Sequence, residues 1–168
     1  VADLCDLSGL PDDRFALAVA FGEPIGCTDD PLQALREINR ILKSDGLLLA
    51  TFDNQFAAID YYLSTGDPGQ LQQFLRDGTT NWLTKDARER FPIQTFSPGD
   101  LPDLLTAAGF TLLEIVGKTV LPMRHHRELL ATPETARAWA KIEKSLARDP
   151  SAVGRSAHLQ VACRVQGR

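Results

Sequence analysis

The side chains best able to do chemistry stand at the ends of apolar runs. Glu23 follows the run Phe15 to Phe21 (FALAVAF) across Gly22, and Asp53 and Asn54 follow the second run, Leu47 to Thr51. His125 and His126 stand together in a basic stretch, and His158 opens an alternating segment near the end. A carboxylate or imidazole can take a proton from a reacting group, so Glu23, Asp53 and His125 are the candidate catalytic bases. Neighbouring residues on a helix point about 100° apart, so His125 and His126 are badly placed to share a metal ion. No carboxylate or cysteine completes a ligand set at a recognisable spacing, and no metal is expected. Cys5, Cys27 and Cys163 are odd in number and far apart. They suit reduced thiols of a cytoplasmic protein rather than a disulfide framework. No Gly-x-Ser-x-Gly elbow occurs, so a hydrolase lacks its nucleophile signature.

The elements that must position these residues read as α/β. FALAVAF suits a strand of a parallel sheet, buried on both faces. A helix follows over 31–43. Asp30 is its N-cap and Pro31 its first residue. Leu35, Ile38, Ile41 and Leu42 share its buried face, and Arg40 and Lys43 complement the dipole in its last turn. Ser44-Asp45-Gly46 ends it, with Gly46 free to take a left-handed conformation. Leu47 to Thr51 is the next strand. Ligands of an open parallel sheet bind beyond the carboxyl ends of its strands. Glu23, Asp53 and Asn54 stand at those ends, and Gly22 lets a ligand approach the backbone.

Residues 55–92 read as a lid inserted in a single domain: two short helices at 56–63 and 68–76, the second capped by Asp67, then a polar stretch containing Trp82. Phe52, Phe56, Tyr61, Tyr62 and Trp82 either pack this lid or wall a substrate pocket and embrace a cation. Leu101, Leu104, Leu105 and Ala108 form the apolar face of a helix that Gly109 stops. A strand follows at 110–116. Thr132-Pro133-Glu134 opens a helix with Ala136, Trp139, Ile142 and Leu146 as its stripe, and 158–165 is a final strand.

Composition narrows the function classes. The 168 residues are 43% apolar and 24% charged, as a globular core requires. No stretch approaches the ~18 apolar residues of a membrane span, and Asp3 and Asp6 exclude a secretory signal at Val1. The net charge of −4 argues against nucleic acid as a partner. Residues 1–60 carry 11 acids and 4 bases, net −7, and the rest 11 acids and 14 bases, net +3. That split suits solvated helix faces, or a basic lobe toward an anionic substrate.

The opening segment VADLCDLSGLPDDRF, the strand-end loop Phe21-Gly22-Glu23-Pro24-Ile25 and the turn Leu42-Lys43-Ser44-Asp45-Gly46-Leu47 together resemble a class I S-adenosylmethionine-dependent methyltransferase. Their order and spacing carry the likeness. Two features depart from it. Phe15-Ala16 stands where the family has Phe-Asp, and no two glycines are one residue apart, so the glycine-rich cofactor loop is missing. The acid that would hold the ribose is missing too. The resemblance implies the C-terminal part of a Rossmann-like domain: strands corresponding to 4, 5, 6 and 7, with flanking helices and a small helical lid. It implies S-adenosylmethionine as cofactor, contacted by Asp3, Leu4, Phe21 and Gly22. It implies methyl transfer to an unidentified acceptor, with Asn54, Tyr61, Tyr62 and Trp82 toward the substrate. Strand 15–21 becomes an uncovered apolar edge, suited to a homodimer or to a separate N-terminal segment. Two alternatives stand beside this: a truncated, non-catalytic domain acting through protein pairing, and a nucleotide-dependent oxidoreductase that would need its own glycine-rich fingerprint.

Overall fold

A computed structural model describes residues 2–81 and 86–167. Its main sheet has four strands in the order β1-β2-β6-β5: β1 Phe15–Ala20, β2 Leu42–Asp53, β6 His158–Val165 and β5 Phe110–Lys118. β1 and β2 are parallel, whereas β6 runs antiparallel to both β2 and β5. The carboxyl ends of β1, β2 and β5 and the start of β6 therefore share one edge. α1 (Pro31–Ile41) supplies the crossover that parallel pairing of β1 and β2 requires. The α/β class and the strand set expected from the sequence are both present.

α1 and α4 (Leu101–Ala107) cover one face of the sheet. There Leu35, Ile38, Leu101 and Leu105 meet Leu48, Ala50, Phe52, Phe110, Val161 and Cys163. A fully buried side chain of this size contributes about 1.5–3 kcal/mol. Burial also pushes the Cys163 thiol up to about 12. α1 begins as its sequence implies: Asp30 accepts from the Gln33 N–H at 2.9 Å, ahead of Pro31. On its flank Arg40 ties down the leading segment. It donates to the carbonyls of Leu7 and Leu10 and pairs with Glu37 and Asp12.

Four expectations are corrected. β1 is an edge strand, partly covered on one face only. Ala18 and Ala20 pack on the core, while Leu17 and Val19 are 50% and 55% exposed. Leu47 and Leu49 of β2 pair with them on the same half-covered face. At the end of α1 the left-handed residue is Asp45 (φ 61°), not Gly46. Gly46 serves another need, because a Cβ there would lie 2.8 Å from the Lys43 carbonyl oxygen. β2 starts directly at Leu42, so the turn is absorbed into the strand as a register shift against β1. α5 (Pro133–Leu146) has the expected Thr132 cap, yet none of its residues is fully buried, and Ile142 is exposed.

The described elements between residues 55 and 94 take in the stretch 55–92 read as a lid. A 3₁₀ turn and α2 (Ile59–Ser64) lead to α3 (Pro68–Asp77), whose cap Asp67 accepts from Gly69 and Gln70 N–H. A small antiparallel pair follows, β3 (Thr79–Asn81) with β4 (Pro92–Gln94), which the polar composition of this stretch does not announce. Among the described residues no helix is long and apolar enough to cross a membrane.

Candidate functional site

The shared edge of the sheet gathers three titratable side chains. Glu23 is placed by a turn just past β1, where Gly22 (φ 88°) and Glu23 (φ 57°) both adopt positive φ. For a residue with a Cβ this costs about 1–2 kcal/mol. The buried Thr51 hydroxyl oxygen holds the turn by accepting from the N–H groups of Gly22 (3.0 Å) and Glu23 (3.2 Å). Asp53 is the last residue of β2, and His158, the first of β6, pairs with it across the ladder. The result is one cluster drawn from three elements. His158 Nδ1 lies 3.3 Å from Asp53 Oδ1 and 3.4 Å from Glu23 Oε1.

The electrostatics follow from this placement. The Glu23 and Asp53 side chains are 18% and 17% exposed and that of His158 33%, so water screens the cluster only in part. The Asp53 contact does most to hold the imidazole above its usual range. Burial opposes that, the Glu23 charge adds to it, and Lys118 on the next strand opposes it. His158 Nδ1 is enclosed, and its contacts with the two carboxylates are longer and less aligned than full hydrogen bonds.

Supporting residues fix this edge. Asn54 is 2% exposed. Its amide nitrogen donates to the carbonyls of Gly154 (3.0 Å) and Ser156 (2.6 Å), and its oxygen accepts from Phe56 N–H. It therefore anchors the turn that delivers His158. The Ser156 hydroxyl bonds the Val153 and His158 carbonyls. Beyond β5, Glu143 of α5 accepts from the N–H groups of Val120 (2.7 Å) and Leu121 (2.9 Å) and pins the loop there.

A pocket of about 690 Å³ opens beside the cluster, with His158 in its wall. Phe56, Ile59, Val120 and Pro122 give it apolar walls, and Asp60, Arg124, His125 and Arg155 give it charge and polarity. A site of this size and lining suits a small molecule.

The structure sorts the residues singled out from the sequence. It brings Glu23 and Asp53 together. His125 lies apart, in the pocket wall, accepting from Arg124 Nε at 2.9 Å. Asp3 is exposed and accepts from Cys5 N–H, and the half-buried Leu4 follows it. This segment lies beside the start of α1, where Gln33 donates to the Cys5 carbonyl. Phe21 is 52% exposed at the end of β1. Asn54 is buried, and its amide bonds backbone groups of Gly154, Ser156 and Phe56. Tyr61 and Tyr62 do not line the pocket beside His158. Tyr62 stacks on Phe74 at 4.5 Å and bonds Thr80 Oγ1 at 2.7 Å, packing the unit at 55–94, and Tyr61 meets it edge-on. Trp82 lies outside the described residues. His158, Thr51 and Glu143 were not among the sequence candidates. Only the β2–β6 register puts His158 against Asp53, and no local motif carries that information.

No protein-family model matches the chain, and no curated protein matches it by sequence. Solved structures do match. A SAM-dependent methyltransferase from Methanosarcina mazei superposes with TM-score 0.63 at 17% identity, over 100% of this chain and 66% of its own. An S-adenosylmethionine dependent methyltransferase from Mesorhizobium loti gives TM-score 0.56 at 18% identity, over 97% of this chain and 67% of its own. The cyclase SpnF gives 0.51 at 19% identity, over 99% of this chain and 55% of its own. This chain thus spans about two thirds or less of the length of these structures. The presence of a cyclase among them shows that the likeness speaks to fold and not to reaction. The chain has the fold of the class I S-adenosylmethionine-dependent methyltransferases.

Proposed function

We propose that this chain forms the acceptor-binding side of a methyltransferase that uses S-adenosylmethionine. One observation carries the proposal: in this fold, the Glu23–Asp53–His158 cluster and an adjoining pocket of about 690 Å³ lie together beyond the carboxyl ends of the strands. Ligands of open α/β sheets bind there. Asp3 and Leu4, beside the start of α1, and Phe21 and Gly22, past β1, would hold the cofactor along the ends of β1 and α1, and it would supply an activated methyl group. The acceptor would enter the pocket, its apolar body against Phe56 and Val120 and a polar or anionic end toward Arg124 and Arg155. Methyl transfer is an in-line displacement at a sulfonium that is already activated. The protein's share is alignment and exclusion of water.

The missing glycine-rich turn would be supplied by polypeptide pairing with the open edge of β1. The exposed Leu17 and Val19 and the two-thirds span of the matched structures support this. The same edge favours a second reading, a non-catalytic domain that works by pairing. Calorimetric titration with S-adenosylhomocysteine separates the two. The protein extended through the sequence encoded upstream of Val1 is expected to bind in the low micromolar range, roughly −7 to −8 kcal/mol. Absence of binding at ~1 mM ligand overturns the methyltransferase reading.

A further inference from the structure

We propose that Glu23, Asp53 and His158 form a binding site for a divalent transition-metal ion of the zinc type, open to the adjoining pocket. One ligand atom from each residue falls within 4.8 Å of the others. The closer spacings are more telling. His158 Nδ1 stands 3.3 Å from the Asp53 oxygen and 3.4 Å from the Glu23 oxygen. Atoms bound at about 2.0–2.1 Å to one tetrahedral zinc stand roughly 3.3–3.4 Å apart, because that is the edge of such a tetrahedron. The observed spacings match that edge.

A second observation is independent of the spacing. His158 Nδ1 is enclosed by protein and has no hydrogen-bond partner, although two carboxylate oxygens stand within reach. A buried ring nitrogen normally finds a partner. Here it is aimed between two carboxylates without aligning to either, as a third ligand would be. The donor set of two oxygens and one imidazole nitrogen suits zinc, manganese or ferrous iron rather than a soft, thiolate-selective ion. Three protein ligands leave a coordination position free. His158 also lines the pocket, so that position faces space that a small molecule could fill.

The scaffold is built to hold the three in place. Thr51 fixes the Glu23 backbone, and the β2–β6 register fixes Asp53 against His158. Rigid elements of this kind hold ligands better than a free loop does. Metal binding here stands or falls separately from methyl transfer.

The test uses the 168-residue chain, stripped with chelator, and Zn²⁺ or Co²⁺ alone as probe. Calorimetry is expected to show one equivalent of Zn²⁺, and Co²⁺ is expected to give visible d–d absorption that Zn²⁺ displaces. Glu23→Gln and Asp53→Asn keep side-chain shape, and each is expected to weaken binding by about 100-fold or more, beyond the 10–100-fold cost of losing an outer-sphere partner. The double variant His125→Ala/His126→Ala is expected to bind as the parent does. Circular dichroism confirms folding of each variant. Failure of the parent chain to bind Zn²⁺ overturns the proposal. So does binding that survives both isosteric variants, or binding lost with His125 and His126.

Discussion

Asp53 and His158 are direct cross-strand partners at the open edge of the sheet, and their side chains meet at 3.3 Å. Sheet register sets this contact. A slip of one residue would turn His158 to the opposite face and dissolve the cluster. The residues that hold the register are therefore as important to the site as the residues within it.

Asn54 is the clearest of these. Replacing it by alanine strands the buried carbonyl of Ser156 and the part-buried carbonyl of Gly154 and N–H of Phe56. Each unsatisfied buried group costs about 1–3 kcal/mol, and large single-site effects come from such losses. Asn54→Ala is expected to destabilise the chain by about 2–4 kcal/mol in urea unfolding. It should also raise hydrogen exchange at 153–158. A loss below about 0.5 kcal/mol, the range of ordinary surface changes, would show that these bonds do not hold the turn.

The register shift near the start of β2 gives a paired prediction of opposite signs. Asp45 sits at φ 61°, which a glycine adopts without penalty, whereas a Cβ at Gly46 would collide with the Lys43 carbonyl. Asp45→Gly is expected to be neutral or to stabilise by up to about 1 kcal/mol. Gly46→Ala is expected to cost about 1–3 kcal/mol. Thermal unfolding of the two variants reads both, and equal destabilisation would contradict the assignment of roles.

The exposed edge predicts association. Leu17 and Val19 point away from the core, on the face they share with Leu47 and Leu49. Sedimentation equilibrium of the chain at micromolar concentration is expected to show self-association. Leu17→Lys with Val19→Lys is expected to weaken it at least tenfold, because charge blunts an edge without touching the core. A monomeric parent chain rules out the pairing role for this edge.

Much of the fold was legible because its cues are local. Asp30-Pro31, the Leu35/Ile38/Ile41 stripe and the FALAVAF run mark α1 and β1 without reference to anything distant. The candidate site was legible in half. Glu23 and Asp53 follow apolar runs, and strand ends are where ligands bind. His158 was not legible as a partner, because its place beside Asp53 depends on a long-range antiparallel pairing. Asn54 and Tyr62 stand near a strand end, where polar and aromatic residues suit a substrate, and no local pattern states which neighbours they meet. Their hydrogen bonds and ring stacking join neighbouring elements. The half-buried faces of β1 and α5 escaped for a related reason: an apolar pattern states what a face can bury and not what is there to cover it.

The central claim is that the cofactor is held at the carboxyl end of β1 and beside the start of α1, next to Glu23. Hydrogen exchange of the upstream-extended protein, with and without S-adenosylhomocysteine, tests it most directly. Protection is expected at the backbone amides of Leu4, Phe21, Gly22 and Glu23, with β3 and β4 unchanged. Binding that leaves residues 21–23 unprotected, or no binding at all, would contradict it.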